Sequence, residues 1–204
     1  MSNATTYQRK LVLKMSISID GFVCGPHGEM DWVFRSSDAG SREWVLETLS
    51  QAGVHIMGHR TYQDMAAYWP TSQLPLAAPM NEIPKVIFSR SGIVSLPSKD
   101  LTTETENINY YDWLTPQVAG KDLVADITRL KQTPGGYILA HGGASFARSL
   151  IAENLVDEYR LAVHPVALGK GLELFSELRS PLDLTLVDVK SFAGGVVAKC
   201  YKVE

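Results

Sequence analysis

The first two-thirds of the chain alternate between short apolar segments and amphipathic ones. Residues 11–19 open with an apolar run and end in strict alternation of apolar and polar positions, which predicts a strand with one buried face. Short apolar segments predict further strands at 54–57, 85–88 and 137–140, and 108–111 is a weaker strand candidate. Strands separated by amphipathic segments indicate an α/β sheet.

The amphipathic segments predict helices, because their apolar residues recur at helical spacing. In the first of them, Ser41 is placed to act as the N-cap and Gly53 to end the helix. The predicted helices cover 41–51, 62–67, 118–131 and a segment through Phe146, Leu150 and Ile151.

The last third of the chain has a different pattern. Residues 158–166, 182–190 and 196–203 predict longer strands with few helical signals between them, and the glycine pair 194–195 is a hairpin-turn candidate. The predicted fold is therefore α/β, with a mixed central sheet of about eight strands, helices on both faces and an antiparallel C-terminal hairpin.

Composition limits the classes of function. The 204 residues suit one domain, expected over 8–204, with residues 1–7 as a disordered tail or tag remnant. The net charge of −3 offers no basic field for a nucleic-acid backbone. No apolar run is long enough to span a membrane, and the polar first residues lack the core of a signal peptide, so we expect a cytoplasmic protein.

The two cysteines give no sign of a metal site. Cys24 and Cys200 are far apart and neither belongs to a Cys-x-x-Cys pair, so we predict no metal. Two free thiols are the favoured interpretation, and a disulfide between them stays open.

Three segments follow predicted strands and combine glycine, basic and hydroxyl residues. In α/β sheets ligands bind where strands end and helices begin, since free N–H groups and the helix dipole favour phosphate there. Glycine lets the backbone approach an anion, and arginine binds phosphate through its planar fork. The usual Gly-x-Gly-x-x-Gly fingerprint is absent. The three segments consist of Gly58, His59, Arg60 and Thr61; Ser89 and Arg90; and His141, Gly142, Gly143, Ala144, Ser145 and Phe146.

The order of these segments resembles a known family. Residues 18–23, 58–62, 85–90 and 141–144, and the late segment 164–171, are similar to successive motifs of the RibD C-terminal domain family. This dihydrofolate-reductase-like family includes the reductase domain of the bifunctional riboflavin deaminase–reductase. The matches extend over nearly the whole chain.

The resemblance implies NADPH as cofactor. Residues 58–61 would lie against its phosphates, Ser89 and Arg90 would hold the 2′-phosphate, and the segment 141–146 would form the pyrophosphate corner. The nicotinamide would lie beside Ile19 and Asp20. In dihydrofolate reductases the corresponding Gly-Gly bond is cis, which the resemblance extends to Gly142 and Gly143.

Fewer residues support the prediction of a substrate-binding site. Asp20, at the end of the first strand, is predicted as a catalytic and substrate-binding carboxylate, although an Asp-Gly turn is the structural alternative. Trp32 is predicted to stack on a flat ring, or else to cover the core, and Asp31 to pair with substrate, or else to cap local backbone. His164, Gly169 and Gly171 complete the predicted substrate contacts.

Three functions stay open at this point. The first is hydride transfer from NADPH to a small heteroaromatic or pyrimidine-type molecule, as in 5-amino-6-(5-phosphoribosylamino)uracil reductase. The second is dihydrofolate reduction, which the missing Leu-Pro-x-Asp/Glu motif disfavours. The third is an NADPH-binding module without catalysis. The family resemblance also implies a homodimer.

Overall fold

The structure is a computed structural model that describes residues 8–92, 94–95 and 111–204. Its strands are β1 (Leu11–Ser18), β2 (Phe22–Cys24), β3 (Ala52–Gly58), β4 (Lys85–Phe88), β5 (Gln117–Val118), β6 (Tyr137–His141), β7 (Glu158–His164), β8 (Leu172–Glu173), β9 (Leu184–Ser191) and β10 (Val197–Val203). Its helices are α1 (Trp32–Arg35), α2 (Ala39–Ser50), α3 (His59–Tyr68), α4 (Ala77–Glu82), α5 (Tyr111–Leu114), α6 (Leu123–Lys131) and α7 (Ala144–Ala152), with a 3₁₀ turn at Trp69–Thr71.

Eight strands form one mixed sheet in the order β5-β4-β3-β6-β1-β7-β10-β9. The strands from β5 to β7 run parallel, while β10 is antiparallel to both β7 and β9. Strands β2 and β8 form a separate antiparallel pair. The predicted mixed sheet of about eight strands with an antiparallel C-terminal hairpin is confirmed.

Helices cover both faces of the sheet, because strand β1 contributes apolar side chains to each. Leu11 and Leu13 pack with Leu150 of α7 on one face. Val12 packs with Leu49 of α2 and other residues of α3 and α4 on the other face. The central strands are therefore buried on both sides, as is usual for parallel sheets.

Several predicted boundaries are wrong for local reasons. Asp38, not Ser41, is the N-cap of α2: its carboxylate accepts from the Ser41 amide, and the Ser41 side chain bonds back to Asp38, which is a capping box. Gln51 is the C-cap, and Gly53 lies inside β3. Gly53 is needed there for close packing, since a Cβ would lie 2.7 Å from the backbone of Gly136.

The region before α6 also differs from the prediction. Val118 belongs to β5, and α6 begins five residues later, at Leu123, where Asp122 caps it. The weak strand candidate 108–111 lies mostly outside the described residues, and Tyr111 begins the short helix α5. The sequence pattern did not predict α1, α4, β2 or β8.

No helix among the described residues is both long and apolar enough to cross a membrane. Cys24 and Cys200 are free thiols.

Candidate active site

The three candidate phosphate-binding segments lie along one edge of the sheet. They follow β3, β4 and β6, which are neighbouring parallel strands, and the pairing of Gly58 with Phe88 and of Ile56 with Ala140 places the strand ends together. The structure therefore brings residues 58–61, 89–90 and 141–146 to the carboxyl edge of β4-β3-β6, where α/β sheets bind ligands.

Helices α3 and α7 begin side by side at this edge. A Cβ on Gly58 would lie 3.2 Å from the Cβ of Phe146, and a Cβ on Gly143 would lie 2.7 Å from Oγ1 of Thr61. Gly143 also has a φ of +81°, which L-residues rarely adopt. The two glycines therefore allow the two helix starts to approach each other closely.

Neither of these helix starts has a side-chain cap among the described residues. The N-cap residues are Gly58 for α3 and Gly143 for α7, and no side chain in the part of the chain that the structure describes caps their first turns. By contrast, Asp38 caps α2 and Asp122 caps α6. The first amides of α3 and α7 are thus left for other acceptors, which is the arrangement that binds phosphate.

Two arginines accompany these helix starts. The side chains of Arg60 and Arg90 are exposed and form no ion pair with a described residue. Ser89 precedes Arg90, and its hydroxyl lies 3.0 Å from that of Ser91. His59 differs, because its Nε2 accepts a hydrogen bond from the amide of Ser95 at 3.1 Å.

The rest of the third segment is mixed in exposure. His141 and Ala144 are buried, Ser145 is exposed, and the ring of Phe146 packs against Phe88 with centroids 5.1 Å apart. The Gly142–Gly143 peptide bond is trans, so the cis bond implied by the family resemblance is not present.

Asp20 lies just beyond the end of β1, beside the exposed side chain of Ile19. Its carboxylate accepts from the Ser18 hydroxyl at 2.5 Å and from the amides of Leu168 and Gly169 at 3.1 and 2.7 Å. These hydrogen bonds, that of Ser18 first, lower the pKa of Asp20 to about 2. Asp20 is therefore ionised at neutral pH and holds the loop after β7 to the end of β1.

Trp32 and His164 form a pair beside this loop. Trp32 is buried, and its ring meets His164 edge-on with centroids 5.3 Å apart. Its Nε1 donates to the carbonyl of Glu29, so the ring is fixed in place. His164 Nδ1 lies 2.8 Å from the Ser36 hydroxyl, and burial, with the charge of Lys14, lowers the pKa of His164 to about 4.

The remaining predicted substrate contacts are spread more widely. Asp31 is exposed and lies 3.8 Å from Arg35 in an ion pair on α1. Gly169 and Gly171 have positive φ values of +72° and +158°, and Gly169 forms the amide contact to Asp20. The structure thus groups Asp20, Gly169, Trp32 and His164 near the end of β1, with Asp31 on the outer surface of α1.

Lys14, the charged residue in the middle of β1, was not predicted as a site residue. It pairs in register with His141 of β6, so the two side chains lie on the same face of the sheet as Ser16 and Ser18. Its amine has no hydrogen bond to a described residue, and burial lowers the pKa of Lys14 to about 8. A lysine within the apolar run 11–15 was the signal that could have identified it.

His141 completes this group and is neutral. Burial, followed by the charges of Lys14 and Lys85, lowers its pKa to about 3. Its ring packs edge-on against His55 with centroids 4.6 Å apart, and its buried Nε2 has no hydrogen-bond partner among the described residues. Burying a nitrogen without a hydrogen-bond partner costs free energy. Such unpaired polar atoms are common at functional sites.

The sequence profile described as RibD C-terminal domain matches residues 9–198. The chain belongs to this family. Among curated proteins, the uncharacterized protein YyaP of Bacillus subtilis (strain 168) is 29% identical over 195 residues, which are 95% of each chain.

Solved structures of similar fold include two enzymes. A diaminohydroxyphosphoribosylaminopyrimidine deaminase/5-amino-6-(5-phosphoribosylamino)uracil reductase from Thermotoga maritima is 18% identical with a TM-score of 0.69, covering 97% of this chain and 57% of that one. The dihydrofolate reductase of Enterococcus faecalis, in complex with NADP(H), is 14% identical with a TM-score of 0.56, covering 97% and 98%. The dihydrofolate-reductase-like fold of this RibD C-terminal domain is therefore established.

Proposed function

We propose that this RibD C-terminal domain protein is an NADPH-dependent reductase that transfers hydride to a small pyrimidine-type heteroaromatic substrate. The proposed reaction is similar to that of 5-amino-6-(5-phosphoribosylamino)uracil reductase. The observation that carries the proposal is the pair of adjacent, uncapped helix starts at Gly58 and Gly143, with Arg60 and Arg90 beside them. The family match and the reductases of similar fold support a reductase-type enzyme.

The residues at the sheet edge fit a phosphorylated dinucleotide. The free first-turn amides of α3 and α7 would bind the pyrophosphate, and Gly142 and Gly143 put no side chain between it and the backbone. Ser89 and Arg90 would bind a 2′-phosphate, which NADH lacks. The side chain of Ile19, 66% exposed at the end of β1, offers an apolar surface for the nicotinamide. When bound, the reduced cofactor supplies the hydride.

The other end of this site, near the end of β1, fits a pyrimidine-type ring that accepts the hydride. On this face of the sheet Lys14 is in register with His141 of β6 on one side and with Arg160 of β7 on the other, and the imidazoles of His141 and His164 are neutral at pH 7. The Lys14 ammonium would donate to a ring carbonyl and stabilise negative charge as it develops there. The ionised Asp20 is held by backbone amides, so its role here is to position the loop 168–169 and not to donate a proton.

The cofactor is tested by thermal unfolding with NADPH and with NADH. A ligand that binds only the folded state at 100 times its Kd stabilises it by about 2.7 kcal/mol, so NADPH should raise Tm more than NADH does. Arg90→Ala should reduce this difference, because it removes the proposed 2′-phosphate contact. Arg179→Ala, which removes an exposed arginine elsewhere, is the matched control.

Equal Tm shifts for the two dinucleotides, or none, would contradict the cofactor assignment. If Arg90→Ala prefers NADPH over NADH as strongly as the wild type does, Arg90 does not contact the 2′-phosphate.

Turnover is followed by the loss of reduced-nicotinamide absorbance with a ribosylaminopyrimidine and with dihydrofolate. Oxidation with the pyrimidine supports the proposal, whereas oxidation with dihydrofolate alone indicates a folate reductase. NADPH binding without oxidation of either substrate indicates a binding module.

A further inference from the structure

Four ionisable side chains form a diagonal row across one face of the sheet. Lys85 is the first residue of β4 and is in register with His55 of β3. The ring of His55 packs edge-on against that of His141, with centroids 4.6 Å apart, and His141, the last residue of β6, is in register with Lys14 of β1. The row therefore leads from the amino edge of the parallel strands to the carboxyl edge, where the candidate active site lies.

All four side chains lie on the face of the sheet that α2, α3 and α4 cover. Successive side chains of a strand alternate between the two faces. The neighbours of these residues in sequence, such as Val54 and Ile56 beside His55, belong to the apolar cluster on the other face, which includes residues of α7. The exposed fractions of His55, Lys85 and His141 are 0%, 3% and 6%. These three side chains are thus buried between the sheet and the helices.

The two histidines contribute little hydrogen bonding to the fold. Both ring nitrogens of His55 and Nε2 of His141 are buried without a hydrogen-bond partner among the described residues. By contrast, the Lys85 ammonium donates to the carbonyls of Asn81 and Ile83 at 3.2 and 2.7 Å. Burying an unpaired polar atom costs free energy, which an apolar side chain of similar size would avoid. Three such nitrogens in two touching rings therefore indicate a role beyond folding.

The proposed reaction needs a proton as well as a hydride. The hydride brings two electrons and one hydrogen nucleus from NADPH to a substrate carbon, and the atom bonded to that carbon must then take a proton. Near the end of β1, hydrogen bonds lower the pKa of Asp20 to about 2 and burial lowers that of His164 to about 4, so neither carries a proton to give at pH 7. Burial lowers the pKa of Lys14 only to about 8, so Lys14 can give a proton and must then regain one.

We propose that His55 and His141 return a proton to Lys14 after each turnover, along a path that begins at Lys85. This inference rests on the proposed reductase function. An N–H bond of His141 breaks as one forms at the neutral Lys14 amine, and His55 then replaces the proton of His141. Lys85 replaces the proton of His55 and regains its own from water. Both imidazoles end neutral, so the net change is the movement of one proton from water to Lys14.

Water can supply the start of this path. A cavity of about 350 Å³ beside the start of β4 is lined in part by Lys85, whereas one water molecule needs roughly 10–15 Å³. The rings of His55 and His141 touch without sharing a hydrogen bond. Each transfer between them therefore requires one ring to turn about its Cβ–Cγ bond, or one water molecule to bridge the two nitrogens.

The relay predicts that the first turnover differs from the following ones when His55 is removed. Lys14 already carries its proton when the substrate binds, so the first hydride transfer in His55→Leu should stay within about twofold of the wild-type rate. The steady-state rate should fall about tenfold or more, because reprotonation of Lys14 becomes limiting. Stopped-flow absorbance of reduced nicotinamide measures both phases, with NADPH and the ribosylaminopyrimidine in excess over the enzyme.

A small buffer and a matched variant separate a proton path from packing. Imidazole buffer at increasing concentration should restore the steady-state rate of His55→Leu and leave that of the wild type unchanged. Leu139→Met changes a buried residue that is in register with His55 on the same face, without removing a titratable group, and should leave both rates unchanged. Circular dichroism and urea unfolding verify that both variants are folded.

The free protein provides a readout that does not depend on turnover. Histidine labelled with ¹⁵N allows NMR to follow the ring N–H of His141. This N–H should exchange with solvent more slowly in His55→Leu than in the wild type or in Leu139→Met, because the relay is a route by which solvent protons reach His141.

The outcomes distinguish the relay from the reaction that it serves. If the wild type completes no first turnover with the pyrimidine, the proposed function fails and the relay fails with it. If the first turnover is normal but His55→Leu keeps the wild-type steady-state rate, the relay alone is overturned. The relay is also overturned if His55→Leu slows the first turnover as much as the later ones, or if imidazole buffer restores no activity, since His55 would then act through packing.

Discussion

Lys14 is a charged residue within an apolar strand, and its position has an energetic consequence. Burial lowers its pKa from 10.5 to about 8, so the folded state releases the proton more readily than the unfolded state does. At pH 7 the lysine is charged in both states and its desolvation opposes folding. A destabilising cation on the face of the sheet that leads to the candidate active site is typical of a site kept for function.

Lys14→Met should therefore stabilise the protein at pH 7, by roughly 1–3 kcal/mol, and should abolish most of the proposed turnover. The stability gain should shrink as the pH rises from about 8 towards 10.5, because the wild-type lysine loses its charge in the folded state over that range. Urea unfolding of both proteins at pH 7 and pH 10 measures the difference. If Lys14→Met is less stable than the wild type, or if its gain in stability does not change with pH, then desolvation of the Lys14 charge does not oppose folding.

At the level of single residues, the sequence predicted which residues gather at the carboxyl edge of β4-β3-β6 better than it predicted the contacts near the end of β1. Gly58, Gly143 and Arg90 each lie in a motif that is weak by itself, and they could be selected because the three motifs follow strands in the order of a known family. Asp20 could be placed, but its hydrogen bonds to the loop 168–169 join residues that are 148 and 149 positions apart in the chain. The partner of Lys14 depends on the register between β1 and β6, which no local pattern contains.

At the level of elements, α3 and α7 depend on each other through Gly143. Alanine at this position would adopt a positive φ and place its Cβ against the Thr61 hydroxyl. We expect Gly143→Ala to cost roughly 1–3 kcal/mol in the free energy of unfolding, and to weaken NADPH binding because the helix starts move apart. Urea unfolding and a fluorescence titration with NADPH measure the two effects.

Gly28→Ala is the matched control for this substitution. Gly28 has a similar φ of +93°, but a Cβ there would meet no atom within 4 Å. Gly28→Ala should lower the free energy of unfolding through backbone strain alone and should leave NADPH binding unchanged. Equal effects of the two alanine variants on NADPH binding would mean that contact between α3 and α7 does not shape the cofactor edge.

The helix starts show why element boundaries were harder to predict than the elements themselves. Ser41 has the composition of an N-cap, but Asp38 three residues earlier accepts from the amide of Ser41 and also from the amide of Gly194, in the β9–β10 hairpin turn. A tertiary contact therefore favours the earlier start. Gly53 fits the sequence pattern of a helix end. In the structure its missing side chain instead allows β3 to lie close to the backbone of Gly136.

At the level of the whole molecule, the order of strands and helices was predictable because both faces of the sheet are buried. Parallel strands between two helix layers have continuous apolar runs, and those runs stand out in this sequence. The strand order was not predictable from periodicity, since β1 lies between β6 and β7 and so joins distant parts of the chain.

The buried histidines should set the acid limit of stability. The pKa of His141 is lowered to about 3 and that of His164 to about 4, and burial also holds the pKa of His55 well below 6.5. Below pH 6.5 the unfolded chain binds protons at these sites while the folded chain does not. Stability should therefore fall as the pH drops from 6.5 towards 4, with each histidine contributing up to about 1.4 kcal/mol per pH unit.

Urea unfolding at pH 7, 6 and 5 measures this dependence, in a range where few carboxylates change their charge. Replacing His164 by Asn should make the free energy of unfolding depend less steeply on pH, by about the contribution of one histidine, because one proton-linked site is lost. His27→Gln, at an exposed position, should leave the slope unchanged. If wild-type stability stays flat from pH 7 to 5, the three imidazoles must gain their protons without unfolding, and the neutral site that faces Lys14 would not exist in solution.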